Sequence, residues 1–170
     1  MKLQFRHQPF QAEAAKAVCD VFTGQPFDSP SYRIDPGRED SALPQIQDFT
    51  GFNNAPVVVD NGKVLEHIRS LQRQGGIKPS DSLEGRFNLT IEMETGVGKT
   101  YTYIKTMYEL NKRYGWSKFI IVVPSVAIRE GVYKSFQMTE EHFSEDYGKK
   151  IRYFIYNSSK LTEIDRFASD

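Results

Sequence analysis

Gly96-Val97-Gly98-Lys99-Thr100 is the densest chemical signal in the chain. Glycines at this spacing let backbone N–H groups close around phosphate oxygens. A helix that opens directly after them adds the positive end of its dipole. Lys99 then supplies a point charge to the β- and γ-phosphates, and the Thr100 hydroxyl can ligate Mg²⁺. With Thr95 the loop forms a cradle for ATP, provided that a strand precedes it and a helix follows. Upstream, Phe10 and Gln11 stand at the start of a helical pattern. A glutamine amide donates and accepts at once, so Gln11 can pair with the N6/N7 edge of adenine while Phe10 packs the base. Downstream, Pro124, Ser125 and Arg129 follow an apolar run. A serine hydroxyl, fresh helix amides and an arginine can hold a nucleic-acid backbone. The bland alternatives are an ordinary helix-start glutamine and a serine N-cap beside a solvated arginine.

The flanking elements have the required order. Phe87 to Met93 alternates and leads into the glycine motif, which predicts a strand. Tyr101, Ile104, Met107, Tyr108 and Asn111 then keep helical spacing. Phe119 to Val123 is a continuous apolar run closed by Pro124, the pattern of a strand buried on both faces of a parallel sheet. A helix is predicted from about Ser125 to Gln137, with Ile128, Val132 and Phe136 inward. Ile151 to Tyr156 predicts a third strand. Strand, helix, strand, helix, strand implies an α/β fold: a parallel sheet flanked by helices, with right-handed crossovers.

Ahead of this lies different material. Pro9 opens a helix on which Phe10, Ala14, Val18 and Val21 recur, stopped by Gly24 and Pro26. Ala15, Val18 and Phe22 mark a face on which Cys19 is a small core residue. Residues 24–85 carry six of the eight prolines and the turn signals Asp35-Pro36-Gly37 and Asn61-Gly62. Val57, Val58 and Val59 predict a short strand or buried turn. Val64, Leu65, Ile68 and Leu71 predict a helix ended by Gly75-Gly76. This zone reads as an insertion between Gln11 and the glycine loop.

The 170 residues suit one domain, with 39% hydrophobic and 13% aromatic residues for a core. Lys+Arg and Asp+Glu are both 22, so a histone-like basic protein and an acidic tail are excluded. A local basic patch remains enough for DNA. One cysteine gives no internal disulfide and no thiolate cluster, as expected of a reducing cytoplasm. No signal-peptide run or membrane-span run occurs, so a cytoplasmic location is expected. His7, His67 and His142 are scattered without metal-ligand spacing and predict structural or surface roles. Trp116 predicts packing. Lys149, Lys150 and Arg152 form a small basic cluster, read as a solvated turn.

Met93 stands where the general phosphate loop has its first glycine, and Met93 to Thr100 resembles motif I of superfamily-two helicases. Val123-Pro124-Ser125 is similar to their motif Ia. Taken together, the chain resembles the N-terminal part of the restriction (Res) subunit of type III restriction-modification enzymes. Phe10-Gln11, Met93 to Tyr103, Lys118 to Ser125 and Tyr156 to Leu161 carry the likeness, and residues 24–85 match it in length and style. The resemblance implies an ATP-driven DNA translocase with a C-terminal nuclease, working on double-stranded DNA with a methyltransferase (Mod) subunit. Residues 1–170 then form most of a first RecA-like motor domain. A D-E-x-[H/Q/D] element is absent; Glu39-Asp40 and Glu145-Asp146 do not end a buried strand. The expectation is a fragment that binds nucleotide and hydrolyses little or none. Another superfamily-two helicase, or a non-hydrolysing nucleotide-binding docking module, are the alternatives.

Overall fold

In the computed structural model, residues 5–33, 51–85, 87–157, 167 and 169 are described. Four helices and one short strand pair follow in chain order. They are α1 (Pro9–Asp20), β1 (Ser31–Arg33), β2 (Gly51–Asn53), α2 (Asn61–Gln74), α3 (Lys99–Tyr114) and α4 (Val126–Tyr147).

Each helix begins and ends for a local reason. Pro9 sits at the first turn of α1, where its missing N–H costs nothing. Asp60 caps α2 by accepting from the Gly62 amide at 2.8 Å. Ser125 caps α4 by accepting from the Ile128 amide at 3.3 Å. Lys112 and Arg113 lie in the last turn of α3, where cations offset the dipole. Gly115 closes that helix at φ +79°, and a Cβ there would stand 2.1 Å from the Asp28 carbonyl oxygen. Glycine is therefore obligatory at this position.

Helix α3 is the centre of the packing, with α1 on one side and α4 on the other. The first core cluster contains Cys19, Phe22, Val59, Val64, Tyr114 and Trp116. Cys19, Ala15 and Val64 are fully buried. The Tyr114 hydroxyl donates to the Cys19 carbonyl at 2.8 Å, and Arg113 pairs with Asp20 at 2.8 Å. Trp116 is buried, as expected, and its indole N–H donates to the Ala55 carbonyl at 3.0 Å. The second cluster contains Ile104, Met107, Tyr108, Phe136 and Phe143.

Part of the 24–85 zone is built into the first cluster. Val59 and Val64 bury there, the Gln25 amide bonds Pro56 and Val58, and His67 contacts the Val21 carbonyl at 3.0 Å. The valine run pairs with no strand among the described residues and bends at Val59, which is buried while Val58 is exposed. The Asn54 carboxamide matches the backbone at 117–118: its oxygen accepts from both amides, and its nitrogen donates to the Lys118 carbonyl. The Asp35-Pro36-Gly37 turn, Glu39-Asp40 and the end of the Tyr156–Leu161 run lie outside the described residues.

The expected parallel sheet needs correction. Among the described residues the only strand pairing is antiparallel, β1 with β2, in the register Ser31↔Asn53, Tyr32↔Phe52 and Arg33↔Gly51. The runs 87–93, 119–123 and 151–156 carry no strand assignment. Ile120 is 80% exposed and Val122 89% exposed. A strand satisfies its backbone only through neighbours, whereas a helix does so internally. Helix α4 also differs from expectation. It runs on to Tyr147, and Ile128 is exposed instead of inward, while Val132 and Phe136 do pack.

Candidate nucleotide-binding site

The glycine loop lies directly before α3, as its sequence requires. Gly96 and Gly98 both adopt positive φ, +83° and +88°. Gly98 is the N-cap of α3, and no side chain caps that end. The first amides of the helix therefore face the loop side unclaimed by a side chain. Lys99 is exposed, Thr100 is half-buried and Thr95 is exposed. Around Gly96 nothing lies within 4 Å of an added Cβ, so the loop is open there.

Gln11 is brought to this loop from the far end of the sequence. It is 8% exposed, and its Nε2 donates to the Val97 carbonyl at 2.8 Å. A Cβ on Gly98 would come 2.6 Å from that same nitrogen. Glycine at 98 thus serves both the backbone turn and the seat of Gln11. Phe10, its neighbour, is 44% exposed. Arg113 of α3 bonds Asp20 across the α1–α3 contact, and Lys16 pairs with Asp20 within α1. Burial pushes the Asp20 carboxyl up, but these two partners outweigh it and hold the group below its ordinary value. Burial also raises the Cys19 thiol to about 12, against a smaller opposing pull from Arg113. Cys19 is thus a protonated core residue, not a nucleophile.

Pro124, Ser125 and Arg129 start a different helix. All three lie at or near the surface, and no hydrogen bond or ion pair joins them to the glycine loop among the described residues. Ser125 oxygen is the α4 cap, and Arg129 pairs with Glu130 at 3.0 Å. Lys149 and Lys150 are likewise partnered, with Asn111 at 3.0 Å and Glu140 at 2.8 Å.

Sequence reasoning missed one cluster. His7 and His142 meet, with ring centroids 5.0 Å apart, and Asp146 lies beside both. The His142–Asp146 spacing of four on one helix was a signal available in the sequence; the approach of His7 was not.

Comparison with known proteins decides the family. Residues 4–166 match the family described as type III restriction enzyme, res subunit. The chain belongs to the type III restriction enzyme Res-subunit family.

Among Res-subunit relatives, the EcoP15I Res subunit of Escherichia coli is 35% identical over 162 residues. That match covers 91% of this chain and 15% of the relative. The EcoPI Res subunit of Escherichia phage P1 is 38% identical over 99 residues, 56% of this chain and 10% of the relative. The StyLTI Res subunit of Salmonella typhimurium is 44% identical over 66 residues, 38% of this chain and 7% of the relative. The chain thus spans about a sixth or less of the length of these Res subunits. No helix among its described residues is long and apolar enough to cross a membrane.

Proposed function

We propose that this Res-family chain is the ATP-binding part of an ATP-dependent DNA translocase and endonuclease. The observation that carries the reading is the bond from Gln11 to Val97. It joins an N-terminal glutamine to the glycine loop at the start of a 16-residue helix. ATP fits the residues present. The loop is open at Gly96, the α3 amides lack a side-chain cap and Lys99 is free to reach outward. Thr95, Gly96, Val97 and Gly98 offer backbone to the phosphates. Lys99 and Thr100 take the roles closest to the chemistry, Lys99 toward the terminal phosphates and Thr100 toward Mg²⁺. Bound ATP with Mg²⁺ supplies the free energy of phosphoryl transfer. Phe10, the neighbour of Gln11 in α1, is 44% exposed and is assigned the role of covering a base. For Gln11 to read adenine, its amide must exchange or share the Val97 bond, which would make loop geometry sensitive to the base.

Pro124, Ser125 and Arg129 are proposed to face the backbone of double-stranded DNA. The Ser125 hydroxyl keeps a free proton to donate while its oxygen caps α4. Arg129 must leave Glu130 to do so, a weak surface pair. The partner is a Mod subunit that reads the DNA site. The 119–123 run, open at Ile120 to Val122, is proposed to join a RecA-like sheet completed by other parts of the parent protein, which would also supply the water-positioning carboxylates and the nuclease.

The test is binding of a fluorescent ATP analogue with Mg²⁺. Lys99→Ala is expected to weaken binding at least about tenfold, that is about 1.4 kcal/mol. Gln11→Ala should narrow the preference for ATP over GTP. Unchanged binding in Lys99→Ala sinks the site assignment. An equal loss of ATP and GTP in Gln11→Ala sinks the base-reading role.

A further inference from the structure

We propose that His7, His142 and Asp146 form a binding site for a divalent transition-metal ion of the zinc class. The ion would staple the lead segment ahead of α1 to the last third of α4.

The geometry comes first. His7 Nε2 lies 3.6 Å from one Asp146 oxygen, and His142 Nε2 lies 3.7 Å from the other. The three ligand atoms all fall within 4.8 Å of one another. A tetrahedral ion with bonds near 2.1 Å needs ligand atoms about 3.4 Å apart. The set is wider than that, and the two imidazoles approach different oxygens of Asp146, so the exposed His7 must move inward for one carboxylate oxygen to join both rings around an ion.

The donor set selects the ion. Two imidazole nitrogens with one carboxylate oxygen suit zinc and its first-row neighbours. Mg²⁺ prefers all-oxygen ligands and several retained waters, so this site does not compete with Thr100 for it. With His7 61% exposed at its side chain, solvent has access to complete the coordination.

Surrounding groups fix the less mobile ligand. The His142 side chain is only 13% exposed, and the Tyr101 hydroxyl stands 2.7 Å from its Nε2. The Phe5 ring packs 5.4 Å from the imidazole on the other flank. The hydroxyl meets the ligating nitrogen itself, so it orients the ring in the metal-free chain and must yield to the ion. On binding, the ion takes the Nε2 position and the Tyr101 hydroxyl turns to a metal-bound water. Tyr101 follows Thr100 directly, and His7 lies four residues before Gln11, just ahead of α1. The staple thus holds the segment that leads into Gln11 against α4, beside the first turn of α3. Metal binding itself does not depend on the nucleotide reading.

Zinc chloride titrated calorimetrically into tag-free, EDTA-treated protein is expected to give one ion per chain and a raised melting temperature. His7→Gln, His142→Gln and Asp146→Asn should each weaken uptake at least about tenfold. His67→Gln should bind as the parent does, since His67 lies on α2 against the Val21 carbonyl, apart from the three ligands. His7 is exposed, so its variant tests the site without threatening the fold. Zinc uptake that is absent, or equal in the parent and His7→Gln, overturns the proposal. It would leave the cluster as two imidazoles packed beside a carboxylate.

Discussion

Helix α3 and the run 119–123 are separated by a few residues and have opposite fates. Both are rich in apolar side chains. In α3, Ile104 is 1% exposed and Tyr108 6% exposed; in the run, Ile120 is 80% and Val122 89% exposed. The difference lies in how each satisfies its backbone. A helix closes its hydrogen bonds within itself and needs only a face to bury. A strand leaves its polar groups to its neighbours. The helical layer of this chain is therefore settled by local sequence, and its sheet is not.

The sharpest way to break this comparison is to empty the helical layer. Phe143 is fully buried between α3 and α4. Phe143→Ala is expected to cost about 4 kcal/mol in denaturant unfolding. A cost below about 1 kcal/mol would mean that the helices are as loosely held as the run. A thiol reagent probes the α1 side of the same layer. With its pKa near 12, Cys19 should label at least about a hundredfold more slowly in the native chain than in denaturant. Labelling at equal rates would show α1 detached from α3.

Acid should loosen that contact in a defined window. The native Asp20 carboxyl is held below its ordinary value of 3.8. Its contribution is therefore complete above about pH 5 and is lost as pH falls through the native pKa. Melting temperatures between pH 6 and pH 2.5 should fall less steeply in Asp20→Asn than in the parent. Parallel slopes would remove Asp20 from the account. The smallest effect belongs to the open run. Ile120→Thr with Val122→Thr should change stability by less than about 0.5 kcal/mol, yet raise solubility. A large loss of stability would show that the run is already covered.

Sequence made the glycine loop and most helices legible because both are local. Gly96 to Thr100 announced a turn into a helix and Gly75 a helix end, whereas Asn61-Gly62, read as a turn signal, opens α2 behind the Asp60 cap. The extension of α4 was missed at the polar stretch Gln137 to Glu141, although Phe136, Thr139 and Phe143 continue one buried face. The strands misled because a continuous apolar run states what a segment needs, not whether a neighbour lies beside it. The seat of Gln11 on Val97 was foreseen only as a shared role in binding ATP. No local pattern encodes the meeting of His7 with His142, which depends on how the lead segment crosses two helices.

Asn54 gives the open run a fixed starting point. Its carboxamide occupies the amides of Ser117 and Lys118 and the carbonyl of Lys118. On that side the ladder is already written as far as Lys118, so an arriving strand can begin only at Phe119. One side chain thus acts as a doorstop, setting where pairing along that edge of the apolar run can start.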